Sequence, residues 1–158
     1  MTPPPGVRPG GRRDVEALVS LWEALVDHHA PLDPHYRGVP DAAAAWGDRL
    51  SRLLCDPEAA VFVQERDGRI AGFVVVETTG APPALREPPR AEITDLFVRP
   101  ELRCGGIGRA LVEAALAWLA ERGAGRVEVR VLHANPEGQA FWRALGFGEF
   151  VDVLHRRL

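Results

Sequence analysis

The spacing of hydrophobic positions changes once along the chain, from a helical period near the N-terminus to strand patterns further on. Two segments have apolar residues at helical spacing. The first, which Asp14 can cap, contains Val15, Leu18, Leu21, Trp22 and Leu25, and the second, which follows Asp41, contains Trp46, Leu50 and Leu53. Two prolines, Pro31 and Pro34, interrupt the region between them and predict a loop there. The N-terminal part is therefore predicted to be helical.

Period-two alternation and short apolar runs predict strands over residues 60–64, 70–77 and 91–98. The first two are joined by Arg66-Asp67-Gly68-Arg69, in which Asp-Gly is a strong hairpin signal. The 80–90 segment between the second and third strands has four prolines and predicts a stiff exposed loop. An antiparallel arrangement is expected up to this point.

The last part of the chain predicts a helix from Arg109 that ends at Gly123 and a strand over 126–132. A short helix over 139–145 and a final strand over 149–155 follow. Because a whole helix separates the strands at 91–98 and 126–132, these two should be parallel, with a right-handed crossover. The element order predicts a mixed α/β (α+β) domain over residues 1–158, with a mostly antiparallel sheet and one parallel pair, flanked by helices. Residues 1–6 are Pro-rich and expected to be disordered.

The segment from Glu92 to Gly108 is the main candidate for a binding site. It runs from an apolar strand through Pro100 into a turn with three glycines in four residues, and then into a helix. The free N–H groups and the dipole at a helix N-terminus favour an anion, and glycines let a phosphate approach the backbone closely. The pattern predicts a phosphate-binding turn, with a ligand-free packing turn as the alternative.

Composition excludes several other functions. All 19 basic residues are Arg and none is Lys, which excludes a Walker-type phosphate loop and Schiff-base catalysis. A net charge of -3 gives no general attraction to nucleic acid or an anionic membrane. The apolar runs are too short for a spanning helix, no signal peptide precedes the domain, and two isolated cysteines suit a reducing compartment, so a cytoplasmic location is expected.

Two motifs resemble those of the GCN5-related N-acetyltransferases. Arg103-Cys-Gly-Gly-Ile-Gly108 is similar to the Arg/Gln-x-x-Gly-x-Gly/Ala signature of that family, and the 135–147 segment resembles its Asn-x-x-Ala-x-x-Phe-Tyr-x-x-x-Gly-Phe motif. The order of elements also fits that fold. A dinucleotide-binding oxidoreductase is disfavoured, because Leu111 replaces the third small residue of its glycine motif and no βαβ unit begins at this strand.

The resemblance implies acetyl-CoA as cosubstrate and a primary amine of a small molecule or peptide as acceptor, with direct acetyl transfer. A non-catalytic acyl-CoA-binding module of the same fold is the alternative. The pyrophosphate suits the glycine turn, and the pantetheine arm can hydrogen-bond to exposed strand backbone. The residues implied in coenzyme binding are Leu96, Phe97, Val98, Arg103, Cys104, Gly105, Gly106, Ile107, Gly108, Arg109, Asn135 and Trp142. Asn135 can also cap the helix that follows it, and Trp142 can instead pack in the core.

The resemblance implies Glu92 as general base, acting through a water. Regular strand alternation would place Glu92 and Thr94 on one face of the strand, opposite Ile93 and Asp95. Trp142 stands where many family members have a Tyr that protonates the leaving thiolate, and an indole cannot do this. Either the thiolate leaves unassisted, or His133 or Tyr36 donates the proton.

The acceptor cannot be identified from the sequence. The family commonly uses the segment between the first two helices, here residues 28–36, to line the acceptor site, and Glu23 and Asp27 lie beside it. His28, His29 and His35 lack neighbouring ligands at metal-binding spacing, so no metal is expected. The resemblance also makes a homodimer possible.

Overall fold

The computed structural model describes residues 6–80, 84 and 86–156. The strands of this part of the chain are β1 Val7–Pro9, β2 Ala59–Arg66, β3 Arg69–Gly80, β4 Arg90–Val98 and β5 Arg126–Val129. Its α-helices are α1 Val15–His29, α2 Ala42–Leu53, α3 Ile107–Glu121 and α4 Pro136–Ala144. Short 3-10 turns occur at Arg12–Asp14, Pro34–Tyr36 and Pro100–Leu102.

The strands form one sheet in the order β1-β2-β3-β4-β5. Neighbours are antiparallel except β4 and β5, which are parallel and joined through α3, so the predicted fold class is confirmed. Asp67 and Gly68 connect β2 to β3 with φ values of 50° and 72°. Positive φ at both central residues is what a tight hairpin with the right-handed strand twist requires, so the predicted hairpin is also confirmed.

Each face of the sheet supports its own core. On one face, α3 buries residues such as Leu111 and Ala115 against Val74, Val76 and Ile93. On the other, α1 and α2 bury Leu18, Leu50 and Trp46 against Phe73 and Val75. Because neighbouring residues of β3 serve opposite cores, its apolar run is continuous rather than alternating. The face covered by α1 and α2 is called the α1/α2 face below.

The predicted strand at 149–155 is wrong: residues 149–156 have no regular secondary structure. Alternation indicates which side chains would share a face, but a strand also needs a neighbour for its backbone hydrogen bonds. β5 ends at Val129, earlier than predicted, and Leu154 is 92% exposed. Phe150 lies in this segment, and its ring centroid is 4.4 Å from the Arg126 guanidinium carbon.

The N-termini of α1 and α2 also differ from the prediction that Asp14 and Asp41 cap them. Asp14 precedes α1 but accepts hydrogen bonds from Arg8 and the Gly11 N–H instead of capping that helix. Asp41 precedes α2 with a left-handed φ of 67° and no side-chain cap. The predictions of disorder at residues 1–6 and of a stiff loop at 80–90 concern residues that lie mostly or partly outside those described.

Candidate functional site

The C-terminal half of β4 has an open edge. Parallel pairing with β5 runs from Arg90↔Arg126 to Ile93↔Val129, while β4 continues to Val98. Within the described part of the chain, no strand pairs with β4 beyond Ile93 on this side. Backbone groups that point toward this side are therefore available to an extended ligand, and binding by Leu96 and Val98 stays a prediction.

The open edge leads directly into the glycine turn and the N-terminus of α3. Cys104 and Gly106 have φ values of 61° and 82°. The first helical hydrogen bond runs from the Ala110 N–H to the Gly106 carbonyl, at 3.0 Å, so the N–H groups of Ile107, Gly108 and Arg109 precede the helical ladder. A Cβ added to Gly106 would meet no atom within 4 Å. The turn therefore presents free donors to open space.

Gly108 and Arg103 hold this turn against the rest of the protein. A Cβ on Gly108 would lie 3.1 Å from the Phe141 ring, so glycine here lets α3 and α4 pack closely. The Arg103 Nε donates to the Val98 carbonyl at 3.1 Å, and its guanidinium lies 5.6 Å from the Phe97 ring centroid. In this structure Arg103 fixes the turn to the end of β4; its role in coenzyme binding stays a prediction.

A β-bulge in β4 changes which side chains share a face. Val76 pairs with Ile93 but Val75 pairs with Asp95, so Thr94 is an extra residue. Val75 and Glu77 belong to the α1/α2 face, and their partners Asp95 and Glu92 therefore share it. The predicted separation of Glu92 from Asp95 is wrong for this reason. Thr94 stays on the same side, since its hydroxyl donates to the Asp95 Oδ2 at 2.8 Å.

The two carboxylates that β4 places on this face have different surroundings. Glu92 Oε1 lies 3.3 Å from the Arg130 Nε, so Glu92 has an arginine partner at the protein surface. Asp95 is half-buried, and burial raises its pKa above the ordinary value. The hydroxyl of Thr94, the positive charge of Arg49 and the Trp22 side chain partly oppose this rise, while the charge of Glu77 adds to it.

Sequence reasoning missed Asp95, although the chain contains a signal for the bulge. Apolar side chains on the α3 face of β4 come from Ala91 and Ile93 and then from Leu96 and Val98. The spacing of three between Ile93 and Leu96 breaks an otherwise regular spacing of two, as an inserted residue requires. The partners of Asp95 on α1 and α2 could not be inferred from this local pattern.

The predicted proton donors have local partners in this structure. His133 is exposed in the loop after β5, where its carbonyl accepts a hydrogen bond from Gln139. Tyr36 is 43% exposed, and its ring lies 5.3 Å from that of His29. Among the described residues, neither side chain is hydrogen-bonded to Glu92 or Asp95. Their catalytic roles stay predictions.

The second motif serves packing and capping in this structure. Trp142 is 8% exposed and packs edge-on against Phe141 and Phe147, at centroid distances of 5.2 and 5.0 Å. Asn135 caps α4, because its side-chain oxygen accepts from the Gly138 N–H at 2.9 Å. Both residues thus have one of the two roles predicted for them, and contact with the coenzyme stays a prediction.

The histidines near the α1–α2 connection take local partners. His29 Nδ1 lies 3.0 Å from the Leu25 carbonyl, and burial lowers its pKa. His35 Nδ1 lies 2.7 Å from the Asp33 carboxylate. Over the residues that the structure describes, no group of three or more His, Cys, Asp or Glu side chains is arranged to hold a metal ion. None of the helices described is long and apolar enough to cross a membrane.

Comparison with known proteins agrees with this geometry. The model of the acetyltransferase (GNAT) family matches residues 22–147, which include both motifs and β4. The chain belongs to that family, and the resemblance inferred from the sequence is confirmed.

Curated relatives match over part of their length. Mycothiol acetyltransferase of Thermobispora bispora is 34% identical over an alignment of 168 positions. This alignment covers 98% of this chain and 51% of the relative. The enzyme of the same name from Clavibacter sepedonicus is 34% identical over 111 residues, covering 70% of this chain and 34% of the relative. The chain thus spans about a third to a half of these curated relatives.

Solved structures show the same fold at lower identity. A mutant of the BH1408 protein from Bacillus halodurans superposes with a TM-score of 0.87 at 21% identity, over 96% of this chain and 98% of that one. The aminoglycoside N-acetyltransferase AAC(6')-Iy, bound to a bisubstrate analogue of CoA and acetylneamine, has a TM-score of 0.76 at 23% identity, covering 96% of both chains.

Proposed function

We propose that this protein transfers an acetyl group from acetyl-CoA directly to the primary amine of a small molecule or peptide. The observation that carries the proposal is the continuity between the open edge of β4 and the free N–H groups at the start of α3. Together they suit a ligand with an extended amide arm at one end and a pyrophosphate at the other.

The residues present fit this cosubstrate. The Ile107, Gly108 and Arg109 N–H groups would receive the pyrophosphate, and the absence of a Cβ at Gly106 leaves room for it beside the backbone. Backbone groups of Leu96 and Val98 would bind the amide arm along the open edge. When bound, the coenzyme supplies a thioester carbonyl that an amine can attack.

The amine must lose a proton before it can attack, and a suitable base has to lie near the end of the open edge. An arm that starts at the glycine turn and follows β4 backward ends near Thr94, where pairing with β5 closes the edge. The α1/α2 face has two carboxylates in this region, Glu92 and Asp95. His133 and Tyr36 remain the predicted donors to the leaving thiolate, since the buried Trp142 has no acidic proton for this step.

The named relatives support a small-molecule acceptor. Relatives in sequence carry the name mycothiol acetyltransferase, and a structural neighbour is an aminoglycoside acetyltransferase solved with a bisubstrate analogue that contains acetylneamine. A cytoplasmic location and formation of a homodimer stay predictions.

The proposal is tested by measuring free thiol release from acetyl-CoA over a panel of aliphatic amines, aminoglycosides, amino sugars and short peptides. Acceptor-dependent release is expected with at least one class. Calorimetric binding of coenzyme A without turnover on any acceptor would instead favour the non-catalytic acyl-CoA-binding module.

Gly106 and Gly123 allow a matched test of the phosphate-binding turn. They lie at opposite ends of α3 with φ values of 82° and 73°, and an added Cβ meets no atom within 4 Å at either position. Substitution by Ala should therefore cost each site a similar strain of about 1 kcal/mol. Gly106→Ala should also weaken coenzyme A binding by about tenfold or more, whereas Gly123→Ala should leave it unchanged. Equal affinities in the two variants would argue against a pyrophosphate at this turn.

A further inference from the structure

Asp95 differs from the other carboxylates on the α1/α2 face in lacking an arginine partner. Arg49 forms an ion pair with Glu77, and Arg130 forms one with Glu92. Asp95 makes no ion pair in the described part of the chain; its polar partners are the Thr94 hydroxyl, at 2.8 Å, and the Trp22 side chain. It is therefore the carboxylate on this face whose negative charge is still available to a cation.

Its position suits contact with the acetyl acceptor. The bulge at Thr94 immediately follows the last pair of β4 with β5, so Asp95 stands where the open edge begins. The bulge also turns Asp95 toward the face of α1 and α2, where Trp22 stacks on Trp46 with ring centroids 5.3 Å apart. A half-buried carboxylate beside an aromatic ring provides both charge and apolar contact for an aliphatic ammonium group.

The charged groups around Asp95 suit a ligand with a single positive charge. α1 contributes the uncharged Trp22, α2 contributes Arg49, and β3 contributes Glu77. On β4 itself, the charge of Glu92 is matched by Arg130 from beyond β5. Each of these two glutamates has an arginine partner, whereas Asp95 has none among the described residues, so its negative charge can be balanced by an acceptor.

We propose that Asp95 binds the ammonium group of the acceptor and removes its proton, so that the enzyme selects aliphatic amines that are cationic at neutral pH. This inference rests on the proposed acetyltransferase function. The Asp95 carboxylate takes one proton from R–NH3+ to give R–NH2, and the nitrogen lone pair then forms the C–N bond. As the C–S bond breaks, its electron pair leaves on sulfur. The amide nitrogen loses its second proton, the thiolate takes up one proton to become the thiol, and the Asp95 carboxyl releases the proton that it took to solvent. The sum is thioester plus ammonium giving amide, thiol and one proton.

The raised pKa of Asp95 is consistent with this role. A carboxyl group whose proton affinity has been increased by burial is a stronger base than an exposed aspartate. The Thr94 hydroxyl and the positive charge of Arg49 oppose the rise by stabilising the ionised form. Burial therefore favours transfer of a proton from an ammonium group to Asp95.

The test compares Asp95→Asn with Glu92→Gln, using the best aliphatic amine of the acceptor panel and a neutral arylamine, aniline, as the second acceptor. Asp95→Asn should lower kcat/KM for the aliphatic amine by about 100-fold or more, the scale of general base catalysis. Coenzyme A affinity, measured by calorimetry, should change less than twofold. Since aniline carries no proton to be removed before attack, its slow turnover should fall much less.

Asp48→Asn provides the matched control. Asp48 is exposed on α2 next to Arg49, and the substitution removes the same charge without touching β4. It should leave kcat/KM unchanged. A second variant, Thr94→Val, removes a hydrogen bond that lowers the pKa of Asp95, and should move the acid limb of the pH–rate profile to higher pH.

The outcomes separate this inference from the proposed function. If the wild-type protein turns over an aliphatic amine but Asp95→Asn retains activity and Glu92→Gln loses it, Asp95 is not the base and the acetyltransferase proposal stands. Equal losses for the aliphatic amine and aniline in Asp95→Asn would indicate a structural role. If the wild-type protein binds coenzyme A but acetylates no amine, the proposed function fails, and this inference fails with it.

Discussion

Two aspartates of this protein, Asp14 before α1 and Asp95 in β4, are both shielded from water, yet their pKa values shift in opposite directions. Asp14 is 5% exposed and receives two hydrogen bonds of 2.8 Å from the Arg8 guanidinium and one of 2.9 Å from the Gly11 N–H. Arg8 lowers the pKa of Asp14, whereas burial raises that of Asp95. The difference comes from the partner, because only Asp14 is matched by a bidentate cation.

This contrast separates a structural from a functional carboxylate. The arginine of Asp14 holds it in one ionisation state and ties β1 to the start of α1. Asp95 has hydroxyl and indole partners, which do not neutralise its charge, and it can exchange a proton with a ligand. The residue type is the same, so a sequence without tertiary information cannot distinguish the two roles.

In the comparison of Asp14 with Asp95, the largest change in the free energy of unfolding should come from Asp14→Asn. Breaking the bidentate pair leaves Arg8 with Glu65 as its remaining charged partner, at 3.1 Å, and should lower the free energy of unfolding by about 2–4 kcal/mol. Urea denaturation measures this loss, with Asp48→Asn as the exposed control. The specific activity of the folded fraction should stay unchanged. A loss below about 1 kcal/mol would show that the buried pair contributes little net stability.

The pH dependence of this stability has a defined sign. The folded pKa of Asp14 lies below the ordinary value of 3.8, so its contribution is fully present above that pH and is lost as pH falls through the folded pKa. Asp14→Asn should therefore flatten the acid end of the stability curve. For Asp95 the folded pKa lies above 3.8, and stability contributed by its protonated form is lost as pH rises through the folded pKa.

A smaller effect of opposite sign is expected for Asp95→Asn. Because the ionised carboxyl is disfavoured by burial, the neutral amide should raise the free energy of unfolding at pH 7 by about 1 kcal/mol, a typical gain when a functional site is neutralised. The gain should shrink toward pH 3, where the wild-type side chain is protonated. Thermal melts at both pH values measure it. A variant destabilised at pH 7 would mean that Asp95 acts mainly as a structural hydrogen-bond acceptor.

The parts of the site formed by local sequence were predictable, and those formed by pairing between strands were not. Three clustered glycines before a helical pattern were enough to predict the turn at Gly106, because helix ends and glycine conformations are local properties. The face of Asp95 depends on the register of β4 against β3, and regular alternation gave the wrong answer. The ion pair of Glu92 with Arg130 joins residues far apart in sequence. The predicted strand at 149–155 was wrong for a similar reason, since alternation cannot show whether the edge of a sheet is available for pairing.

The smallest expected effects are shifts of the pH–rate profile, and they should distinguish the surroundings of Asp95 from those of Asp14 most directly. Arg49 and Glu77 pair with each other, yet the positive charge of Arg49 lowers the pKa of Asp95 and the negative charge of Glu77 raises it. If Asp95 must be ionised to accept a proton, Arg49→Gln should move the acid limb of the kcat/KM profile to higher pH, and Glu77→Gln should move it to lower pH. At a fixed pH on this limb, each change should alter kcat/KM by about two- to tenfold, since one pKa unit corresponds to tenfold.

Both groups are partly exposed, so added salt should reduce the shifts. The same two substitutions should leave the acid unfolding of the Asp14 region unchanged. Shifts of the limb in one common direction would point to general damage of the α1/α2 face rather than to the charge on Asp95.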